Sequence, residues 1–269
     1  MIRIYSLCAL FMMSSISCKM KSKQGNNKAA IDMIEEIGLP DWIDKEYVMG
    51  HFDPAQDDRF VEVDIAYADR AGLLLRVECY EAFVRMSKAA KEEGLDLQIR
   101  SATRNFDYQK RIWQKKWMGE TILSDDTKAS DIEDHKTRAL KILLYSSMPG
   151  TSRHHWGTDI DLNSFDNRYF ESGPGLNVYE WLTKNASSFG FCQPYTSKGR
   201  GRSGYEEEKW HWSFVPLSND LTEYCRRHMT NLDIEGFDGS HVAEDVDMIT
   251  NYVLGIDVQC QYPKSVDVR

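Results

Sequence analysis

From Trp210 to Phe214 the aromatic residues fall on every second position, so an extended strand puts Trp210, Trp212 and Phe214 on one face and His211 with Ser213 on the other. The aromatic face suits a core, which leaves His211 facing a cleft. A second alternation, Thr158 to Asn163, predicts another short strand, entered through a bend at Gly157. Elsewhere the spacing is helical. Tyr80, Phe83, Val84, Met86 and Ala90 share a face over residues 78–93, with Gly94 as the stop. Residues 106–118 place Ile112, Trp113 and Trp117 on a packed side, where large apolar area favours core over a substrate platform. Ser130 followed by Glu133 has the form of a capping box and predicts a helix over 131–145, an insertion over the cleft with His135 at its surface. Leu95–Ser101 reads as a strand delivering Arg104 to the cleft, and 178–188, 217–228 and 241–254 as further helices, the first ending near Gly190. His228 and His241 sit outside any motif. No internal repeat breaks the run, so residues 31–269 form one domain.

Length and charge narrow the classes. A chain of 269 residues with 42% hydrophobic content can bury one sizeable core, and a mean hydropathy of -0.52 excludes a multi-span membrane protein. A net charge of -9 disfavours nucleic acid as a partner.

The N-terminus changes the picture. Residues 1–17 carry one early basic residue, Arg3, then an apolar run from Leu7 to Met13 and small residues ahead of Cys18, the layout of a secretory signal. The apolar run is too short to span a bilayer as a mature helix. Ser15-Ile16-Ser17-Cys18 resembles a bacterial lipoprotein cleavage box, with Ser15 where leucine is usual, and implies that Cys18 becomes a lipidated first residue anchored to the membrane. An ordinary signal peptide, or an uncleaved apolar terminus, is the competing reading. Residues 18–30 are polar and basic, a tether. Cys79, Cys192, Cys225 and Cys260 then remain, an even number able to pair in an oxidising periplasm, although Cys79 and Cys225 in helix-like segments also suit buried thiols.

The chemistry is concentrated in two segments, Ser152–Asp161 and Glu208–Trp212. They offer His154, Asp161 and His211 as ligands for one zinc ion per chain, and Glu208 as a carboxylate left free to act as general base. Three protein ligands with one open position are the arrangement of a hydrolytic zinc site. Glu208 lies an odd number of residues before His211, so it belongs in the turn or bulge that enters the strand.

These segments resemble the zinc D,D-carboxypeptidases of bacterial cell walls, the VanY-type branch of a superfamily that includes lysostaphin-like peptidases and the hedgehog signalling domain. The family pattern Ser-x-His-x-x-Gly-x-Ala-x-Asp, then Glu-x-Trp-His, is met at Ser152, His154, Gly157, Asp161, Glu208, Trp210 and His211. A third family segment, Ser-Gly-Tyr-Arg-Ser-x-x-x-Gln, is met less fully by Ser101, Arg104 and Gln109. The resemblance runs over roughly residues 80–216, and only His154, not its neighbour His155, falls on the pattern. Asp159 stands where the family has alanine; on a strand it shares a face with Asp161, and it is either a support for a ligand histidine or a competing ligand.

The resemblance implies an α+β fold of the hedgehog/D,D-peptidase type, a small antiparallel sheet flanked by helices with the zinc cleft on the sheet. It implies hydrolysis of the D-alanyl-D-alanine bond of peptidoglycan stem peptides in the cell envelope. Arg104 would hold substrate or the developing oxyanion, with Gln109 and Ser152 as supporting polar contacts. The loop 196–204, with Lys198, Arg200 and Arg202 among glycines, reads as a mobile connection that leaves open a grip on an acidic stem peptide. Two alternatives accompany this reading: an L,D-carboxypeptidase or endopeptidase using the same site, and a zinc-containing wall-binding lipoprotein without activity. Retention of Glu208 argues against the last, because structural zinc needs no base. Oligomeric state stays open.

Overall fold

The structure, a computed structural model, describes residues 38–261; the expected signal segment 1–17, Cys18 and the tether 18–30 lie outside the described residues. Helix α1 (Lys45–Met49) starts under the side-chain cap of Asp44 and leads to an antiparallel ribbon, β1 (Phe60–Glu62) paired with β2 (Leu74–Arg76). β2 runs directly into α2 (Val77–Glu92), whose buried stripe is Cys79, Ala82, Phe83, Met86, Ser87 and Ala90. Tyr80 and Val84, expected on that face, sit on its flank. The helix ends as expected at Gly94, which takes a φ of 79° while the Leu95 N–H closes back on the Ala90 carbonyl.

β3 (Ile99–Ser101) is shorter than the expected 95–101, and α3 (Phe106–Trp117) begins under an Asn105 cap with Trp113 and Trp117 buried. Helix α4 (His135–Ile142) corrects the 131–145 expectation. Its cap is Asp134, whose carboxylate accepts the Thr137 N–H at 2.8 Å, and Ser130 lies in a separate 3-10 turn. The Arg138 guanidinium takes the carbonyls of Ser130 and Ile132, which fastens that stretch as an irregular segment and prevents helix from starting there. His135 is exposed as expected, against Trp117 and 3.0 Å from a nitrogen of His241.

β4 (Asp159–Leu162) follows the 3-10 turn Arg153–Trp156. α5 (Gly173–Asn185) starts five residues before the expected 178, with Pro174 in its first turn, a position that needs no backbone donor. β5 (Phe191–Cys192), β6 (His211–Phe214) and α6 (Val215–His228) follow. The helix expected over 241–254 is broken: a 3-10 turn covers Ser240–Val242 and a wide π turn Ile249–Val253, and Asp247 between them takes φ 47°. Asn231 bonds both the Asp247 carboxylate and the Ile249 N–H, holding the break. A last short helix, α7 (Val258–Gln261), carries Cys260, which is disulfide-bonded to Cys192. Cys79 and Cys225 are buried free thiols, the second of the two readings made for them.

β3, β4, β6 and β5 pair antiparallel in that spatial order. The fold is thus α+β, a small antiparallel sheet with helices around it, as expected. One face of the sheet sends Ile160, Leu162, Trp212 and Phe214 into a core with Phe83 and Met86 of α2 and Leu182 of α5. A second core gathers Trp113, Ile142, Met148, Leu221 and Val253. No helix among the described residues is long and apolar enough to cross a membrane.

Candidate active site

Because side chains alternate along a strand, the register of β4 against β6 decides which polar groups meet. Asp161 is paired with His211 and Asp159 with Ser213, so all four face away from the aromatic core. The turn Arg153–Trp156 closes on Gly157 at φ 75°, which reverses the chain and sets His154 beside the end of β4. The result is one buried cluster. His154, Asp161 and His211 each offer a ligand atom, all within 4.8 Å of one another.

Hydrogen bonds fix which nitrogen faces inward. His154 Nδ1 lies 2.9 Å from the Ala102 carbonyl, which can only accept, so Nδ1 carries the proton and Nε2 holds a lone pair. That Nε2 and Asp161 Oδ1 are buried without a hydrogen-bond partner. His211 gives its Nε2 proton to Asp159 Oδ2 at 2.9 Å, which turns Nδ1 toward Asp161 Oδ1 at 3.3 Å and Glu208 Oε2 at 3.2 Å. Two inward lone pairs and a carboxylate oxygen, buried and short of donors, are a set that fits one divalent cation of the zinc type. His155 has both nitrogens engaged: Nε2 accepts the Gly150 N–H at 3.1 Å, and Nδ1 donates to the Arg104 carbonyl at 2.5 Å. Burial pushes its pKa down to about 3, so it is a neutral structural imidazole.

Asp159 resolves into the first of the two roles left open for it, support of a histidine. Besides His211 it accepts from Thr158 Oγ1 and Ser213 Oγ, and it pairs with Arg153 Nε at 3.0 Å. Burial drives its pKa upward, but the Arg153 charge and the His211 bond outweigh that and hold it well below the usual carboxylate range. Arg153 in turn bonds Thr222 and Ser213 and lies over the Trp156 ring. The sequence reading missed Arg153, although a cation inside the motif next to an extra aspartate was a signal for a buried pair. Burial pushes the His211 pKa down, yet bonds from Asp159, Asp161 and Glu208 outweigh it and raise it well above normal, so the pocket is rich in negative charge and suits a cation.

The cluster opens into a cavity of about 820 Å³ that Arg104, Gln109, Ser152 and Glu208 also line. Glu208 precedes the strand in a turn, as expected, with its carbonyl accepting the His211 N–H and its own N–H bound to the Tyr195 carbonyl. Burial raises its pKa. Arg104 is held by a backbone bond to the His154 carbonyl, and its Nε is buried without a partner. Gln109 anchors Nε2 on the Ser147 carbonyl at 2.8 Å, leaving Oε1 unpartnered, and Ser152 Oγ is likewise free. The sequence reading also missed Tyr195 and Tyr205, which line the cavity from outside any motif; the Tyr195 ring meets His211 edge-on. The basic loop is not part of this site. Lys198 pairs with Glu206, Arg200 with Asp257, and Arg202 binds the Thr196 and Tyr205 carbonyls; none of the three lines the cavity.

Residues 72–217, more than half of the chain, match the family model described as VanY, D-alanyl-D-alanine carboxypeptidase, and the chain belongs to that family. Among curated proteins it is 26% identical to the putative carboxypeptidase YodJ of Bacillus subtilis (strain 168) over 218 residues, covering 76% of this chain and 73% of that protein. Among solved structures it is similar to a mutant of the vancomycin resistance D,D-pentapeptidase VanY in complex with Zn(II), at 24% identity, TM-score 0.46, and 64% and 86% coverage of the two chains. It is also similar to the LD-carboxypeptidase LdcB, at 19% identity, TM-score 0.48, and 77% and 81% coverage.

Proposed function

We propose that this chain is a zinc-dependent carboxypeptidase that removes the terminal D-alanine from D-alanyl-D-alanine ends of peptidoglycan stem peptides. One observation carries the reading: the buried ligand atoms of His154, Asp161 and His211 converge next to Glu208 in a cavity that also holds the unpartnered Arg104 Nε. His154 Nε2, Asp161 and His211 Nδ1 would hold the ion. When bound, zinc supplies Lewis-acid polarisation of the scissile carbonyl and acidifies a water ligand to a pKa of about 7. Glu208 takes the proton from the attacking water and passes it to the departing amine, a task suited to a carboxylate whose pKa burial has raised. Arg104, always charged and forked, binds the substrate carboxylate or the developing oxyanion. Gln109 Oε1 accepts from a substrate N–H, and Ser152 Oγ supplies a further polar contact. Asp159 keeps the His211 ring oriented for its ligand role.

Export to the cell envelope, with Cys18 lipidated, belongs to the same proposal. The Cys192–Cys260 disulfide supports an oxidising compartment.

Zinc-loaded protein incubated with defined muropeptides is expected to shorten pentapeptide stems by one D-alanine, read by mass spectrometry. Glu208→Ala is expected to keep the fold and the zinc while turnover falls at least about 10²–10⁴-fold, the usual contribution of acid–base catalysis. Shortening of tetrapeptide stems alone, or scission of cross-links alone, would replace the D,D assignment, and a wild type that binds stems but cuts none would reduce the protein to a binding module.

A further inference from the structure

Among the described residues four Arg and Lys cations line the cavity: Arg153 and Arg168 are paired with Asp159 and Asp166, Arg104 is used by the proposed chemistry, and Lys116 is not. On α3, Gln109, Ile112 and Lys116 lie three and then four residues apart, so one helix face lines the cavity and Lys116 stands about 10 Å along the axis from Gln109. Helical side chains lean toward the N-terminus, which brings the lysine stem back toward Gln109 and Arg104. Lys116 Nζ donates to Ser146 Oγ at 2.5 Å. That fixes one of its three donors and leaves two. It is part-buried, and among the described residues it has no salt bridge, nor does Arg104. Of the acids that share the cavity, Asp166 is paired with Arg168, Asp126 is exposed and Asp161 lies in the His154–His211 cluster, while Glu208 faces His211 and offsets the two cations only through space, without an ion pair. Burial and the nearby Arg104 charge lower the Lys116 pKa, and the Glu208 charge offsets part of that. Arg104 and Lys116 thus share one partly buried cavity without a direct ion pair, an arrangement that an anionic ligand placed between them stabilises.

We infer that Lys116, fixed by Ser146, forms with Arg104 a two-cation clamp for the free C-terminal carboxylate of the peptide, and so sets the preference for chain ends over internal bonds. This rests on the carboxypeptidase reading for its substrate but not on turnover for its test. An amidated or extended C-terminus carries no charge there and leaves the clamp unfilled.

Calorimetric titration of zinc-loaded Glu208→Ala protein with D-alanyl-D-alanine and with its C-terminal amide reads the clamp without cleavage. The acid is expected to bind at least tenfold tighter than the amide, as a charge-assisted hydrogen bond supports. Adding Lys116→Met is expected to weaken the acid at least fivefold while the amide shifts less than twofold, and Ser146→Ala to move the same ratio in the same direction. Lys116→Arg, which restores a cation, is expected to recover most of the discrimination and guards against a folding defect in the methionine variant. Equal loss for both ligands would make Lys116 a structural residue, and an unchanged ratio would remove it from the subsite; either result overturns the clamp. A wild type that cuts no muropeptide but keeps the Lys116-dependent ratio would defeat the carboxypeptidase reading and leave the clamp standing.

Discussion

Asp159 and Asp161 are two residues apart on β4 and share a face, yet they differ in what lies around them. Asp161 is paired with His211 and keeps an oxygen without a partner, whereas Asp159 is filled by Thr158, Ser213, Arg153 and His211 Nε2. A carboxylate on the far nitrogen of a ligand imidazole fixes its tautomer and strengthens its lone pair. Asp159→Asn is therefore expected to weaken zinc by about 10–100-fold, the usual effect of losing such a support, with His154 and Asp161 still in place. Competition with a chromophoric chelator measures it; unchanged affinity would mean that Asp159 serves Arg153 and the fold alone. His154 and His155 make the same point. They are adjacent in sequence, and one has its remaining nitrogen in the cluster while the other has both nitrogens on backbone.

At the scale of elements, the site depends on a short turn. The 3-10 turn Arg153–Trp156 delivers His154 from one side and β4 delivers Asp161 from the other, and Gly157 is the joint. Its φ of 75° is left-handed, and a Cβ there would lie 2.4 Å from Phe60 Cε1 on β1. Gly157→Ala is expected to cost about 1–3 kcal/mol, combining a left-handed residue with a displaced aromatic ring. Urea unfolding tests this, and a midpoint equal to wild type would show that the ribbon yields. Helices whose periodicity is uninterrupted, α2, α3 and α6, follow the sequence expectation to within two residues at each end. α4 and the 240–253 region depart because side chains outside the expected helical pattern, Arg138 on the Ser130 carbonyl and Asn231 on the Ile249 N–H, compete for the backbone. No local pattern announces such bonds.

Over the described residues the molecule presents two cores and one polar sheet face, with the disulfide joining β5 to α7 across 68 residues. The N-terminal segment, Cys18 included, lies outside the described residues, so the lipid anchor proposed there is tested on the full sequence. In a bacterial host, Cys18→Ala is expected to abolish metabolic lipid labelling and to move the protein from the membrane to the soluble envelope fraction, since an acyl anchor supplies the membrane affinity. Membrane fractionation that does not change would remove the lipoprotein reading and leave the site chemistry untouched.

By itself the sequence singled out His154, Asp161 and His211, which the fold brings together, the position of Glu208 ahead of its strand, and the split of β6 into an aromatic and a polar face. These are consequences of spacing: period-two alternation and a two-segment motif survive any packing. Only the tertiary structure decided what surrounds them. The Arg153–Asp159–His211 chain, the capture of His155 by Gly150 and Arg104, the engagement of the basic loop by Glu206 and Asp257, and the placing of Lys116 beside Ser146 all join residues from different elements. Such pairs are fixed by strand register and by buried polar groups finding partners, and the physics that selects them acts between segments that are neighbours only after folding.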